Sequence, residues 1–171
     1  MKILTVSGSE RADSANRKLL NALPVLHSNY EFTHFDQLHT LPLFTANIQD
    51  AAPFPEGVIN WKKAISASDA LVICTPEYIH NLPALLKNAL EWITASGELA
   101  NKKVLPITFT PAPPRGAKAM QSLLWSLQAL DASIVAQLPL YQNRVRFGED
   151  YSLLECESLE LLREGIGLLK G

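Results

Sequence analysis

A short polar segment after the first apolar run of the chain carries the residues best suited to bind an anion. The side chains that could contact an anion there are Ser9, Arg11, Ser14 and Asn16, beside Ser7. A helix that begins in this segment adds the unpaired N–H groups of its first turn, which attract phosphate. Helix capping accounts for Asp13 or Ser14 but not for Arg11 and Asn16. We therefore predict a phosphate site.

A second polar loop, at 75–83, reads Thr-Pro-Glu-Tyr-Ile-His-Asn-Leu-Pro and follows the most apolar segment of the chain. The Tyr78 ring offers a flat face to a planar ligand. The backbone N–H groups of Glu77 and Tyr78 could bond heteroatoms at a ring edge. An ordinary turn with an exposed tyrosine is the alternative, and this loop alone does not decide between the two.

A third loop, at 110–116, reads Thr-Pro-Ala-Pro-Pro-Arg-Gly. Arg115 could contact the phosphates of a nicotinamide nucleotide, or it could be a solvated residue at a helix start, which we favour. The three loops each follow a predicted strand, and the carboxyl ends of parallel strands open at one edge of a sheet. We expect the loops to form one pocket, because a pocket needs several converging segments.

Strand-like and helix-like segments alternate along the chain. The predicted strands lie at 2–6, 31–36, 69–75, 104–109 and 134–136, and the predicted helices at 16–27, 56–67, 83–95, 116–130 and 150–169. Pro106 weakens the fourth strand. Strict alternation indicates an α/β fold with right-handed crossovers. We predict a flavodoxin-like three-layer sandwich, a five-stranded parallel sheet of order 2-1-3-4-5 with helices on both faces, in a single domain over 1–171.

The bulk composition restricts the class of protein. A hydrophobic content of 47%, a charged content of 19% and a net charge of -2 give no electrostatic case for a nucleic-acid or membrane partner. The segment 1–6 is too short for a signal peptide, and no apolar run reaches the ~20 residues of a membrane span. Cys74, Cys156 and the four histidines show no metal-ligand spacing. We expect a cytoplasmic protein without a metal site.

Two motifs resemble those of the NADPH-dependent FMN reductase family, which includes flavin-dependent quinone and chromate reductases. The first is Gly8-Ser9-x-Arg11-x-x-Ser14-x-Asn16, and the second is Thr75-Pro76-Glu77-Tyr78, continued by Pro83 and Leu86-Lys87-Asn88-Ala89-Leu90-Glu91-Trp92. Leu41-Pro42-Leu43-Phe44 also resembles the segment before that family's second helix. The similarity runs from residue 1 to about 140, and the motifs occur in the family's order.

The resemblance implies bound FMN, with its phosphate in the first loop and its ring system beside the second. The cofactor-binding residues that it implies are Ser9, Arg11, Ser14, Ala15, Asn16, Pro76, Glu77, Tyr78, Ile79 and Thr110. Hydride would pass from NAD(P)H to FMN and then to a quinone, flavin or similar small acceptor. No protein acid or base is implied, because the flavin carries the chemistry and Tyr78 orients the ring. Backbone N–H groups at 77–78 would stabilise negative charge on the ring.

Three departures from the family pattern bear on the second substrate. Ile79 stands where the family often has asparagine, Pro83-Ala84 replaces a usual Pro-Gly, and the third loop lacks the usual glycine-rich sequence. Two alternatives stay open: a non-enzymatic electron carrier, and a flavin-free binding or regulatory protein. The near-neutral charge and Arg11 disfavour the carrier.

The resemblance also implies a homodimer or homotetramer that associates through the helix at 83–95. Trp92 and Trp125 are the candidate aromatic anchors of that contact. The sequence does not indicate whether NADPH or NADH is preferred, since no loop plainly recognises a 2′-phosphate.

Overall fold

The computed structural model describes residues 1–46, 53–148 and 152–170. The strands are β1 (Lys2–Ser7), β2 (Glu31–Phe35), β3 (Ala70–Thr75), β4 (Lys103–Thr110), β5 (Ser133–Ile134) and β6 (Leu138–Tyr141). The α-helices are α1 (Ala15–Leu26), α2 (Glu56–Ser66), α3 (Ala84–Glu91), α4 (Ala117–Ala129) and α5 (Glu157–Gly167). The described residues also form 3₁₀ turns at Leu38–Thr40 and Gln142–Arg144.

The strands form one parallel sheet of order β2-β1-β3-β4-β5, which confirms the predicted order. A sixth strand, β6, pairs in parallel with the C-terminal half of β4, Ile107–Thr110. Only residues 134–136 were predicted to form a strand at this edge, so β6 was missed. Pro139 lies inside β6 and argues against a strand by itself, but an edge strand tolerates proline because one side needs no ladder partner.

Pro106 is accommodated in β4 by the break between β5 and β6. The Val104 carbonyl accepts from the Val135 N–H at 3.1 Å, so Val104 points its backbone toward the outer strands. In a parallel ladder the backbone N–H and C=O groups of every second residue face the same neighbouring strand. The backbone of Pro106 therefore also faces the outer strands β5 and β6. Pro106, which has no N–H, faces the break between β5 and β6, so no ladder hydrogen bond is lost at this position.

Helices cover both faces of the sheet, as alternation of side chains along buried strands requires. On one face Leu4, Val6, Leu71 and Ile73 pack against α2, α3 and α4. On the other face Ile3, Val72, Cys74 and Ile107 pack against α1 and α5. Because helices pack on both faces of the central strands, the positions of the carboxyl ends of these strands relative to one another are fixed.

Three expectations about helices and side chains were wrong. The helix α3 ends at Glu91 rather than near 95. The terminal helix starts at Glu157, since Leu153 pairs with Phe147 in an isolated bridge instead; the predicted start at 150 lies outside the described residues. Trp92 is fully buried and donates from Nε1 to the Pro42 carbonyl at 2.7 Å, so it cannot anchor a partner subunit. No helix within the described ranges is long and apolar enough to cross a bilayer.

Candidate functional site

A cleft of about 590 Å³ opens at the carboxyl edge of β1, β3 and β4, where the three predicted loops converge. Its lining includes every predicted site residue except Ile79. The lining residues are Ser9, Arg11, Asp13, Ser14, Ala15, Asn16, Lys18, Pro76, Glu77, Tyr78, Phe109, Thr110, Pro111, Arg115 and Gln142. The volume lies within the range of about 300–1,000 Å³ typical of small-molecule and cofactor sites.

The loop after β1 is held against β3 by close packing at Gly8. The Gly8 N–H donates to the Cys74 carbonyl at 2.8 Å. A Cβ atom at Gly8 would overlap Thr75 Oγ1 and lie 2.9 Å from Thr75 Cβ, so only glycine fits. Ser7 Oγ then accepts from the Ser9 N–H at 3.1 Å and donates to the Ser9 carbonyl at 2.9 Å. These contacts set the direction of the loop as it enters the cleft.

Ser14 is the N-cap of α1, and its Oγ accepts from the Arg17 N–H at 3.1 Å. The N–H groups of Ala15 and Asn16 belong to the same first turn, where helix geometry supplies no carbonyl partner. Lys18 lines the cleft one turn later. Lys18 was not among the predicted site residues, although its spacing of four residues from Ser14 places both on one helix face.

Arg11 is already paired inside the loop. Its Nη2 lies 3.1 Å from both carboxylate oxygens of Asp13, and its Nε donates to Oδ1 at 3.2 Å. The hydrogen bond from Arg11, together with its charge, lowers the pKa of the Asp13 carboxyl. Both side chains are more than two-thirds exposed, and such ion pairs are weak in water. A phosphate can therefore compete with Asp13 for the guanidinium.

Asn16 connects three elements beneath the cleft. Its Nδ2 donates to the Phe109 carbonyl at 3.4 Å, and its Oδ1 accepts from the Cys74 thiol at 3.1 Å. Burial raises the pKa of Cys74, which keeps the thiol protonated as a donor. Because Nδ2 carries two hydrogens, a second one is available to a ligand.

Tyr78 opens a two-residue turn at the cleft rim. Its N–H donates to the Asn81 carbonyl at 3.0 Å, and the Asn81 N–H returns to the Tyr78 carbonyl at 2.9 Å. Ile79 and His80 have φ values of 50° and 55°, as a type I′ turn requires. One of the two N–H groups predicted for a ring edge is therefore in use, and the Glu77 N–H is the other.

Ile79 lies outside the cleft. It is 98% exposed and borders a separate surface groove with Leu82 and Ala84. Tyr78 borders both the cleft and this groove, with 49% of its surface exposed.

The loop after β4 closes the remaining wall. Thr110 Oγ1 donates to the Arg115 carbonyl at 2.9 Å, and exposed Arg115 lines the cleft rather than only the helix start. Gln142 reaches the cleft from the 3₁₀ turn after β6, where the Asn143 N–H donates to the Pro111 carbonyl at 3.2 Å. Gln142 was not predicted as a site residue because β6 was not predicted, and nothing in the local sequence marks Phe109 or Gln142 as site residues.

Comparison with known proteins identifies the family. Residues 1–142 match the NADPH-dependent FMN reductase family. The chain belongs to this family. It is 31% identical over 138 residues to a quinone reductase of Escherichia coli K12, covering 79% of this chain and 73% of that protein. It is 31% identical over 119 residues to an NAD(P)H-dependent FMN reductase of Pseudomonas aeruginosa, covering 70% and 60% of the two chains.

Comparison with solved structures confirms the fold. The chain superimposes on the flavoenzyme NAD(P)H:(acceptor) oxidoreductase FerB of Paracoccus denitrificans with a TM-score of 0.84 and 25% identity, over 99% of this chain and 95% of that one. A flavodoxin variant from Pseudomonas aeruginosa gives a TM-score of 0.66 at 18% identity, over 100% of both chains. The resemblance and the flavodoxin-like architecture predicted from the sequence are both confirmed.

Proposed function

We propose that this FMN reductase family member is a single-domain, FMN-dependent NAD(P)H oxidoreductase that reduces a quinone, a flavin or a similar small acceptor. The observation that carries the proposal is the convergence of three loops in one cleft of about 590 Å³. One end of that cleft suits a phosphate and the other suits a flat ring. The quinone and FMN reductases that the chain resembles support the same assignment.

The phosphate end comprises Ser9, Arg11, Ser14, Ala15, Asn16 and Lys18. The first-turn N–H groups of α1 and the Ser14 hydroxyl would donate to phosphate oxygens. Arg11 would leave Asp13 and form charge-assisted hydrogen bonds to the phosphate. Lys18 would add a second positive charge, which suits a dianionic group.

The ring end comprises Pro76, Glu77, Tyr78, Thr110 and Arg115. Tyr78 would pack beside the ring system and keep water from one side of it. The Glu77 N–H would donate to the ring edge and stabilise negative charge there. FMN, when bound, supplies the hydride and electron transfer, so the protein needs to bind and orient rather than to provide an acid or a base.

We further propose that the protein is cytoplasmic and forms a homodimer or homotetramer. Cys74 and Cys156 are both free thiols, as expected in a reducing compartment. Trp125 is 65% exposed beside a groove between α3 and α4 and is the better aromatic anchor for a second copy. Tyrosine and tryptophan are enriched at such contacts.

A visible spectrum with and without added FMN, followed by anaerobic addition of NADPH or NADH, tests this function. We expect a bound-flavin spectrum that bleaches within seconds on addition of the nucleotide and recovers on addition of a quinone. A colourless protein that does not bind FMN would support a flavin-free binding role. Bound FMN that neither nucleotide reduces would indicate an electron carrier.

A further inference from the structure

The Glu77 side chain connects the two loops that form the ring end. Its Oε2 accepts from the backbone N–H groups of Lys118 and Ala119, each at 3.0 Å, in the first turn of α4. The carboxylate is 9% exposed. A carboxylate at a helix N-terminus gains both from hydrogen bonding and from the helix dipole. Glu77 therefore caps a helix that starts about forty residues further along the chain.

The N-terminus of α4 cannot supply its own side-chain cap. Gly116 occupies the N-cap position with φ of 100°, a conformation that side-chain-bearing residues rarely adopt. A Cβ atom there would lie 3.0 Å from Thr108 Oγ1 and 3.2 Å from Thr110 Cγ2. The close approach of α4 to β4 thus excludes a capping serine or aspartate at this position. The cap must come from another segment.

The capping contact also fixes the loop after β4. Gly116 and Arg115 precede α4 directly, and the Arg115 carbonyl accepts from Thr110 Oγ1 at 2.9 Å. A shift of the first turn of α4 would carry Arg115 with it. On the other side, Tyr78 is the next residue after Glu77. One carboxylate therefore holds both walls of the ring end.

We propose that Glu77 is a positioning residue that sets the separation of Tyr78 from the loop at 110–115, and through it the fit of the flavin ring. This inference rests on the proposed function for the identity of the ring. It assigns to the Glu77 side chain a role distinct from the ring contact that its N–H would make.

The test compares Glu77→Gln with Glu157→Gln. Each substitution removes one negative charge at a helix N-terminus: Glu77 caps α4, and Glu157 lies in the first turn of α5. Glu157 is exposed and does not line the cleft. Two quantities are measured well below the melting temperature: amide hydrogen exchange at 110–119 without FMN, and the FMN dissociation constant with the visible spectrum of the bound flavin. Glu77→Asp keeps the charge on a shorter side chain and serves as the conservative variant.

For Glu77→Gln we expect exchange at 117–119 to accelerate about tenfold and the FMN dissociation constant to rise about tenfold, as loss of a charge-assisted hydrogen bond implies. The flavin spectrum should shift toward that of free FMN. Glu77→Asp should fall between Glu77→Gln and the wild type, and Glu157→Gln should match the wild type in both quantities.

Two results would overturn the inference. Weaker FMN binding with unchanged exchange at 117–119 would mean that the Glu77 side chain contacts the ligand directly. Faster exchange with unchanged FMN affinity and spectrum would mean that it only caps a helix. Failure of the wild type to bind FMN would instead contradict the proposed function, and the exchange data would still decide whether the capping contact exists.

Discussion

The phosphate end of the cleft is built from one continuous stretch of chain, whereas the ring end joins two loops that are distant in sequence. Residues 9–18 supply the first through a loop and one helix turn. The second depends on hydrogen bonds between Glu77 and N–H groups that are 41 and 42 residues away. Local helix geometry presents the donors of the phosphate end, on a loop that packs against β3 at Gly8. A contact between two distant segments sets the separation of the walls of the ring end. The two ends should therefore respond differently to substitution.

Gly8→Ala should have the largest effect, since it acts where the phosphate loop packs against β3. The added Cβ would overlap the Thr75 side chain, whose branched Cβ leaves little room to move. We expect the free energy of unfolding to fall by about 1–3 kcal/mol and FMN binding to be lost. Urea denaturation and FMN titration measure the two effects.

Gly167→Ala is the matched control for that experiment. Gly167 is the last residue of α5, and a Cβ there would meet no atom within 4 Å apart from its chain neighbours and the backbone of the same helix. This variant should be as stable as the wild type or slightly more stable, because alanine favours the helix. Equal stability of the Gly8→Ala and Gly167→Ala variants would show that the loop is not held as tightly as its contacts indicate.

Arg11→Ala and Asp13→Asn test two opposite effects at the phosphate end. Arg11 attracts the phosphate, and Asp13 competes with the phosphate for the Arg11 guanidinium. Removing Arg11 should raise the FMN dissociation constant by about tenfold to a hundredfold, since a charge-assisted contact is lost. Removing the Asp13 charge should instead tighten binding by roughly threefold, because a surface ion pair no longer competes. Isothermal titration measures both, and the same change in both variants would contradict the assignment of Arg11 to the phosphate.

Ile79→Gly probes the strained turn of the ring end. None of residues 8–16 has a positive φ, whereas Ile79 does, at 50°. A β-branched residue pays for that conformation, so we expect the glycine variant to be about 1 kcal/mol more stable to urea. FMN affinity should stay unchanged because Ile79 is outside the cleft lining. Tenfold weaker binding would instead place Ile79 against the flavin.

Acidification should give the smallest effect and perturb neither end directly. Burial, with a smaller contribution from the Arg17 charge, lowers the pKa of His34 on β2 below its unfolded value of about 6.5. The unfolded chain then binds the proton more readily than the folded chain. His34 therefore leaves the free energy of unfolding unchanged above pH 6.5 and lowers it as the pH drops below 6.5. His34→Gln should flatten the thermal-melting profile between pH 7 and 5. An unchanged profile would contradict the shift.

The contrast between the ends also explains what could be predicted from sequence. The placement of Arg11, Ser14 and Asn16 at one cleft could be predicted because a helix start and a fixed charge lie close together in the chain. Lys18 follows from helical spacing, and the sheet order follows from strict alternation of strands and helices. The contacts of Glu77 with α4 and the position of Gln142 depend on packing between distant segments and on β6. Local pattern carries no information about such contacts.

Titration of the protein with FMN and with riboflavin, followed by flavin fluorescence, tests the central claim most directly. The two ligands share the ring system and differ only in the phosphate. If the loop and first turn at 9–18 bind that phosphate, FMN should bind about a hundredfold more tightly than riboflavin. Arg11→Ala should reduce that ratio. Equal affinity for FMN and riboflavin would contradict the division of the cleft into a phosphate end and a ring end.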